Sequence, residues 1–299
     1  MKELIGLNGS SILVTGASGL ICSNIIRRLL TAKNKLGIAF KIYASSRSGE
    51  LPSFVKLSPD LQIIAGDLLD KSIMARIPTV DFVIHGATYG QPAKFVQEGL
   101  ATMLLNTQIT YELLQKCRER FLFLSTSEVY SGLETGPHIE SEIGRTGPLH
   151  PRAAYIEGKR SGETIAIHNT LKGVTANVAR IALAYGPGAR LTDTRVLNEL
   201  ILRGLSENIV QLRGGGHQLR SYMYVDEAIS YLFGILIKGS GDIYNVGGQD
   251  AISLNALAEK IASSTGAEFV AAVSGDTGSS AEAPDYVGLD MSKTRALLP

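Results

Sequence analysis

Tyr155 and Lys159 form the clearest chemical pattern in the sequence, a phenol and an ammonium separated by four positions. In a helix this spacing places both side chains on one face, where they are neighbours. A cation beside a tyrosine favours the phenolate, so we expect the pKa of Tyr155 to be lowered. Tyr155 is therefore a candidate general base for a hydroxyl group near neutral pH. Alone, the same spacing is common on surface helices, so its meaning depends on its neighbours.

A second group of polar residues, Thr126, Ser127 and Glu128, follows the apolar run 121–125. Such a run predicts a buried strand, and ligands bind at the carboxyl ends of parallel strands. Thr126 is suited to hydrogen-bond a reacting hydroxyl, while Ser127 and Glu128 are candidates for proton transfers at neighbouring carbons. The alternatives are that Thr126 caps the strand end and that Glu128 is only a favourable charge at a helix N-terminus.

A turn containing Gly16, Ser18, Gly19 and Leu20 lies between the first predicted strand and the first predicted helix. Glycines at this place let the backbone approach a pyrophosphate, which binds at the N-terminus of the helix. The sequence therefore predicts a dinucleotide-binding turn. Its third glycine position is occupied by Cys22, a small residue at a place where the helix must pack closely.

The end of the second predicted strand reads Ser46 and Arg47, with no acidic residue at its tip. An acidic residue there would bind the ribose 2′-hydroxyl of NAD, whereas an arginine and serines suit a 2′-phosphate. We therefore favour NADP(H) as the cofactor and keep NAD as an alternative. A further alternative is that Arg47 is only a solvated loop residue.

Short apolar runs alternate with amphipathic segments through the first half of the chain. Strands are predicted at 11–16, 41–44, 61–65, 80–85, 121–125 and 174–181, and helices at 20–31, 99–118 and 152–170. This alternation predicts an α/β fold with a Rossmann-type, doubly wound parallel sheet. After residue 185 the pattern changes, with helices predicted at 195–205, 225–237 and 254–264 and a surface loop at 274–283. We divide the chain into a nucleotide-binding domain, 1–182, and a smaller substrate-binding lobe, 183–299, interwoven with it.

The bulk composition narrows the class of protein. The 299 residues are 44% hydrophobic, and 29 basic against 28 acidic residues leave a net charge of +1, which argues against a nucleic-acid polymer as partner. Two cysteines, without any Cys/His cluster, indicate neither a disulfide framework nor a metal site. The sequence shows no signal-peptide pattern and no apolar run of membrane-spanning length. We expect a cytoplasmic protein without a membrane partner.

Taken together, the glycine turn, the segment 125–130 and the segment 155–160 resemble the extended short-chain dehydrogenases, the nucleotide-sugar epimerase/dehydratase family. The similarity runs from about residue 11 to residue 298. The segment 150–160 is particularly similar to UDP-glucuronate decarboxylases, and Thr126-Ser127-Glu128 is also the triplet of GDP-mannose 4,6-dehydratases. The resemblance implies that Thr126, Tyr155 and Lys159 support hydride transfer at sugar C4, and that Glu128 removes the C5 proton.

The resemblance also implies further contacts. Those with the cofactor involve Asp67, Leu68 and Ala87, together with Tyr155 and Lys159, and those with the diphosphate of a nucleotide sugar involve Arg195 and Arg220 besides the sugar contact of Thr126. It implies a homodimer formed through the helices at 99–118 and 152–170. Two departures concern the substrate side: Leu183 stands where the family often has Asn, and Ser131 replaces a usual glycine.

Several reactions share this residue set. We expect redox chemistry at sugar C4 that leads through a 4-ketone to a 4,6-dehydratase or decarboxylase outcome. A 4-keto-sugar reductase that consumes NADPH is the main alternative, followed by a 4-epimerase. A non-catalytic NADP-binding sensor is the alternative of a different class. The sequence alone leaves the base and the sugar open.

Overall fold

The structure is a computed structural model that describes residues 2–212, 215–271 and 286–298. The surface loop predicted at 274–283 lies outside these residues. Thirteen strands are found within them. In chain order these are β1 Ser11–Thr15, β2 Lys41–Ser46, β3 Leu61–Ala65, β4 Val80–His85, β5 Cys117–Thr126, β6 Thr175–Ile181, β7 Leu183–Tyr185, β8 Ile209–Gln211, β9 Leu219–Tyr224, β10 Ile243–Val246, β11 Ala251–Ser253, β12 Glu268–Val270 and β13 Tyr286–Val287.

Seven strands form the main sheet, in the order β3-β2-β1-β4-β5-β6-β10, and all of its pairings are parallel. The predicted doubly wound parallel sheet is therefore confirmed. The chain leaves β1 towards one edge and returns through β4 towards the other, so the strand order reverses between these two strands. Ligands of such sheets bind outside the carboxyl ends of the strands at this reversal.

The α-helices of the described residues are α1 Leu20–Leu36, α2 Lys71–Arg76, α3 Pro92–Gln97, α4 Gly99–Asn106, α5 Gln108–Leu114, α6 Ala153–Ile167, α7 Val196–Ser206, α8 Val225–Lys238, α9 Leu254–Thr265 and α10 Ser292–Leu297. Side chains alternate across β1, as the strand period of two requires. Ile12 and Val14 pack in the core that contains α1 and α8, whereas Leu13 packs in the core that contains α5. Both faces of the sheet are thus covered by helices.

The helix predicted at 99–118 is wrong in two respects. It is interrupted at Thr107, whose backbone angles, φ −112° and ψ −76°, depart from regular helix values and whose amide donates to the carbonyls of both Met103 and Leu104. The segment after α5 is also strand rather than helix, because β5 begins at Cys117 and pairs with β4 from there.

The later part of the chain contributes to both halves of the fold. β10 joins the main sheet beside β6, and α8 packs against α1. There are two small sheets, one in which β9 pairs with β7, β11 and β13 and one formed by β8 and β12. Elements of both sheets pack with α7 and α9 around a separate apolar core that includes Leu200 and Leu257. The division at residues 182 and 183 stays a prediction. After that point the chain enters the smaller core and later returns to the main sheet through β10.

Candidate active site

The candidate site lies at the carboxyl edge of the main sheet, where β5 ends. A short 3-10 helix, Ser127–Tyr130, begins directly after Thr126, whose hydroxyl oxygen accepts a hydrogen bond from the Glu128 amide at 3.2 Å. Thr126 therefore caps this turn at the end of β5, which is the alternative role that the sequence suggested for it. Its side chain also lies beside the phenol of Tyr155 and opposes the rise in the pKa of that phenol, so the cap faces α6.

Tyr155 is buried on α6 and stacks on Phe95, with ring centroids 4.3 Å apart and planes inclined by 7°. Burial raises the pKa of Tyr155 to about 12, while the Thr126 side chain and the charge of Arg195 act in the opposite direction. The expectation of a lowered pKa is therefore wrong for the chain itself. The physical reason is that loss of water around the phenolate outweighs the nearby cations.

Lys159 lies one turn further along α6 and is only 2% exposed. Its ammonium donates to the carbonyl of Leu124 at 2.5 Å and lies 6.0 Å from the centre of the Tyr155 ring. Burial lowers the pKa of Lys159 to about 7, and the charge of Glu163 opposes this shift. The predicted Tyr–Lys pair thus shares one helix face. With a pKa of about 7, the Lys159 ammonium can lose its proton near neutral pH.

Glu128 forms an ion pair with Arg152, whose Nη1 lies 2.7 Å from Glu128 Oε1. The second carboxylate oxygen has only a long contact with the Ser131 hydroxyl, at 3.5 Å. Glu128 and Ser127 line a pocket that also contains Ser131 and His138. A carboxylate in this position has one oxygen fixed and one available to a ligand.

The glycine turn fits a dinucleotide pyrophosphate. Gly16 has φ +71, and a Cβ there would lie 2.6 Å from the carbonyl oxygen of Gly86, so only glycine lets the two loops approach so closely. Gly19 precedes α1 without any side-chain cap, which leaves the first amides of the helix available to an anion. The Ser18 hydroxyl accepts from Arg190 at 3.1 Å, which brings a cation to the same place.

Cys22 occupies the third glycine position without disturbing the packing. A Cβ on Gly86 would lie 2.5 Å from the Cys22 sulfur, so the glycine after β4 provides the room that this side chain needs. The thiol is buried, and burial raises its pKa to about 12. The departure at Cys22 is therefore compensated locally, and the turn keeps its shape.

The other predicted cofactor residues surround the ends of β2, β3 and β4. Ser46 is buried and donates to the carbonyl of Glu50 at 3.1 Å, while Arg47 donates to the Tyr89 hydroxyl at 2.5 Å and lies 5.2 Å from that ring. Arg47 thus has a fixed neighbour. Asp67 accepts from the Leu69 amide at 3.0 Å, Leu68 is buried, and the Ala87 amide donates to Thr15 at 3.2 Å.

The two predicted substrate arginines lie in the smaller half of the fold. Arg195 precedes α7 and is held by Asp193, with Nε 3.0 Å from each carboxylate oxygen. Arg220 lies on β9 and donates to the carbonyl of Leu219 at 2.9 Å. Burial raises the pKa of Tyr222 to about 12, and the charges of Arg220 and Arg195 oppose this shift, so both cations lie near one ring.

Sequence reasoning missed a network between β1 and β4. His85 Nδ1 lies 2.7 Å from the Thr15 hydroxyl, and Nε2 lies 3.0 Å from the carbonyl of Leu105. Burial lowers the pKa of His85 to about 3, so the ring is neutral and each nitrogen needs one matching partner. Thr15 also accepts from the amide of Gly86, which positions the second loop of the cofactor site. The available signal in the sequence was that Thr15 and His85 each lie near the end of a predicted strand.

Sequence comparison agrees with this architecture. Residues 12–247 match the family described as "NAD dependent epimerase/dehydratase family". The chain belongs to this family. The predicted recognition is therefore confirmed, and dependence on NAD is part of the family's description.

Members of the family with curated names are similar over most of this chain. UDP-glucuronic acid decarboxylase 1 of Arabidopsis thaliana is 26% identical over 261 residues, which cover 86% of this chain and 59% of that protein. UDP-glucuronic acid decarboxylase 1 of Xenopus tropicalis is 27% identical over 265 residues, which cover 87% of this chain and 62% of that protein. The chain thus spans about three fifths of the length of these relatives.

Solved structures of family members share the fold. DesIV, a dTDP-glucose 4,6-dehydratase from Streptomyces venezuelae with NAD bound, has a TM-score of 0.78 at 23% identity, covering 96% of this chain and 90% of that one. The epimerase Mth375 from Methanothermobacter thermautotrophicus has a TM-score of 0.84 at 21% identity, covering 100% of this chain and 89% of that one.

Among the described residues, none of the helices combines the length and the apolar character of a membrane span, and no group of three or more metal-ligating side chains occurs.

Proposed function

We propose that the protein oxidises C4 of the sugar in a nucleoside-diphosphate sugar and converts the resulting 4-ketone by a dehydratase or decarboxylase reaction. The observation that carries the proposal is the meeting of Thr126, Tyr155 and Lys159 with the half-open carboxylate of Glu128 at one sheet edge. Thr126, Tyr155 and Lys159 are suited to act on the hydroxyl at C4, and Glu128 is suited to take a proton from the neighbouring carbon, C5. A bound nicotinamide supplies a hydride acceptor and donor in such a site.

Thr126 and Tyr155 act on the C4 hydroxyl in this proposal. Thr126 hydrogen-bonds the oxygen, and Tyr155 takes its proton as the carbon is oxidised. Because burial raises the pKa of Tyr155 to about 12, the phenol needs stabilisation of its anion before it can act as a base. The buried ammonium of Lys159, 6.0 Å from the ring centre, supplies part of that stabilisation.

Glu128 acts on C5, next to the new ketone. A ketone makes the hydrogen on the neighbouring carbon acidic, so a carboxylate can remove it. The ion pair with Arg152 orients Glu128 and leaves the second oxygen available. Loss of water from C6 then follows when C6 carries a hydroxyl. When C6 is a carboxylate, the C5–C6 bond breaks instead, carbon dioxide leaves, and C5 takes up a proton in its place. In both reactions the hydride taken from C4 returns to the sugar, so no dinucleotide is consumed overall.

Arg195 and Arg220 bind the diphosphate in this proposal. A guanidinium suits phosphate oxygens because its planar donors match them in pairs. The curated names of the relatives support a UDP-linked uronic acid as one candidate substrate. We further propose a homodimer formed through α4, α5 and α6, since Leu100 and Tyr111 on the first two helices are 73% and 58% exposed.

For the cofactor we propose NADP(H), with NAD as the alternative. Arg47 supports this choice because Tyr89 holds it at the tip of β2, where the 2′-substituent of the adenosine ribose binds in dinucleotide folds. The backbone around Gly16 and the uncapped start of α1 fit the pyrophosphate that both dinucleotides share.

A 4-keto-sugar reductase is the second candidate. The pKa of about 12 favours it, because a phenol protonated at neutral pH can donate its proton to a ketone without further activation. In that reaction Glu128 would have no proton to remove, and NADPH would be consumed.

The test is incubation of the protein with UDP-glucuronate, UDP-glucose, dTDP-glucose and GDP-mannose, and separately with 4-keto-6-deoxy derivatives plus NADPH. Products are identified by mass, and NADPH is followed by absorbance. A product lighter by one water or one carbon dioxide, without net NADPH consumption, supports the first proposal. A product heavier by two hydrogens with stoichiometric NADPH oxidation replaces it with the reductase.

Tyr155→Phe is the matched control for this test. It keeps the ring stacked on Phe95 and removes only the phenol oxygen. We expect turnover to fall by about 10²–10⁴-fold, the usual contribution of general acid–base catalysis. Normal turnover by Tyr155→Phe would contradict both candidate reactions.

A further inference from the structure

His138 is held firmly although it lies in an irregular segment. Its amide donates to the carbonyl of Gly288 at 3.1 Å, and its own carbonyl accepts from the amide of Asp290 at 2.9 Å. The ring stacks on Tyr130, with centroids 4.9 Å apart and planes inclined by 19°, and meets Tyr286 edge-on. The side chain is 4% exposed, so contacts on several sides fix the position of its nitrogens.

These contacts leave one ring nitrogen without a partner at hydrogen-bond distance, although the charge of Glu142 lies nearby. Nδ1 is buried and has no hydrogen-bond partner. The carboxylate of Glu142 lies 3.6 Å away, beyond hydrogen-bond length, and its nearest oxygen instead accepts from the Ile139 amide at 3.0 Å. Buried polar atoms without partners cost free energy and are rare in folded proteins. A protein that keeps one at the edge of a pocket has a use for that ring.

The ring lines the same pocket as Ser127, Glu128 and Ser131. The cavity that a water-sized group can occupy is about 20 Å³, which is room for about one water. It therefore suits a single polar atom of a larger ligand. Nδ1 is sealed among protein atoms, whereas Nε2 is not one of the buried atoms that lack a partner, so Nε2 is the ring nitrogen that remains for a ligand.

We propose that His138 binds the oxygen of the C6 substituent of the sugar, and that this pocket is the subsite that selects sugars carrying such a substituent. The inference rests on the proposed function, in which Glu128 acts on C5 and therefore has C6 beside it. Burial lowers the pKa of His138, so the ring is neutral. A neutral imidazole presents either an acceptor or a donor at Nε2, which suits a hydroxymethyl group or a carboxylate respectively.

The test measures binding of three UDP sugars and their dTDP analogues to the protein with dinucleotide added. UDP-glucose carries a hydroxymethyl group, UDP-glucuronate a carboxylate, and UDP-xylose no C6 substituent. His138→Phe keeps the stacking on Tyr130 and removes the ring nitrogens. We expect it to weaken the preferred C6-bearing sugar roughly five- to tenfold, the equivalent of one hydrogen bond, and to leave UDP-xylose unchanged.

The identity of the weakened sugar separates the two sources of the C6 oxygen. Weaker UDP-glucose binding identifies a hydroxyl, and weaker UDP-glucuronate binding identifies a carboxylate. His138→Gln, which retains a donor and an acceptor, should keep part of the discrimination and provides a second variant in case His138→Phe does not fold. His168→Phe makes the same chemical change at an exposed position at the end of α6 and should alter nothing.

A stability measurement distinguishes a ligand-binding role from a structural one. Without sugar, His138→Phe should unfold at the same temperature as the parent protein or higher, because an unpartnered buried nitrogen is removed. A lower midpoint, or equal weakening of all sugars including UDP-xylose, would overturn the inference and leave the proposed function standing. Absence of binding of every nucleotide sugar to the parent protein would overturn both.

Discussion

Two glutamate–arginine pairs lie near the carboxyl edge of the main sheet, and their surroundings differ. Glu163 and Arg180 are buried, with side chains 4% and 3% exposed, and their charged groups meet at 2.8 Å. Glu128 and Arg152 have a similar separation of 2.7 Å, but their side chains are 23% and 17% exposed. The same two residue types therefore form one sealed pair and one that opens on the pocket.

The sealed pair uses its hydrogen-bonding capacity within the protein. Glu163 also accepts from the Ser125 hydroxyl, and Arg180 also donates to the Tyr130 hydroxyl at 2.9 Å and the carbonyl of Glu140 at 2.9 Å. Buried charges need this degree of satisfaction because water cannot replace a missing partner. The pair holds β5, β6 and α6 in register beneath the site.

The open pair has hydrogen-bonding capacity that the protein itself does not use. One oxygen of Glu128 has only the 3.5 Å contact with Ser131, and the carboxylate lines the pocket with His138. The difference indicates that a charged pair with all its hydrogen bonds made inside the protein has a structural role. A carboxylate oxygen without a close partner beside a pocket can act on a ligand. Matched substitutions at the two glutamates separate these roles.

The largest effect is expected for Glu163→Gln. Removing this charge leaves the guanidinium of Arg180 buried without its counter-ion, which should lower the free energy of unfolding by about 3–5 kcal/mol. Chemical denaturation measures the loss. Glu163→Gln combined with Arg180→Met should recover part of it, because both charges are then gone; no recovery would show that the pair is not a coupled unit.

Glu128→Gln should produce the opposite profile. We expect the free energy of unfolding to change by less than about 1 kcal/mol, because the pair is partly solvated. Turnover should fall by about 10²–10⁴-fold, since the amide cannot accept the C5 proton. Denaturation and product analysis on one preparation check both statements. A stable variant with full activity would remove Glu128 from the mechanism.

Lys159 extends the comparison to a buried cation and gives a pH dependence. Its pKa is about 7 in the folded protein and 10.5 in its ordinary state. Between those values the unfolded chain binds more protons, so this group makes stability rise as pH increases from about 7 to about 10. Lys159→Met should be more stable than the parent protein at pH 7, and this difference should shrink as the pH rises. Parallel denaturation curves of the two proteins measure it; a constant difference would contradict the assignment.

The smallest effect is expected at the exposed Arg47. Arg47→Ala should weaken NADP(H) binding about tenfold and NAD(H) binding little, because only the former carries the 2′-phosphate. Fluorescence titration with each reduced dinucleotide measures the ratio. Arg76→Ala, at the end of α2, is a matched surface control. Equal affinity changes for both dinucleotides would identify Arg47 as a general contact and withdraw the NADP(H) preference.

Much of the fold and part of the site could be predicted from the sequence because they depend on local rules. The alternating apolar positions of β1, the glycines at 16 and 19, and the spacing of Tyr155 and Lys159 each report a local backbone geometry. The helix at 99–118 was wrong because the backbone departs from helix geometry at Thr107 and because residues from Cys117 onward pair with β4.

The class of sheet, the place of the glycine turn before α1 and the helix face that carries Tyr155 and Lys159 follow from the sequence alone. The fit of Cys22 against Gly86, the ion pair of Arg152 with Glu128 and the raised pKa of Tyr155 depend on the tertiary structure. These properties arise between residues distant in sequence and from the exclusion of water. Backbone periodicity is encoded within a few residues, whereas contact partners and local dielectric exist only after the elements have packed.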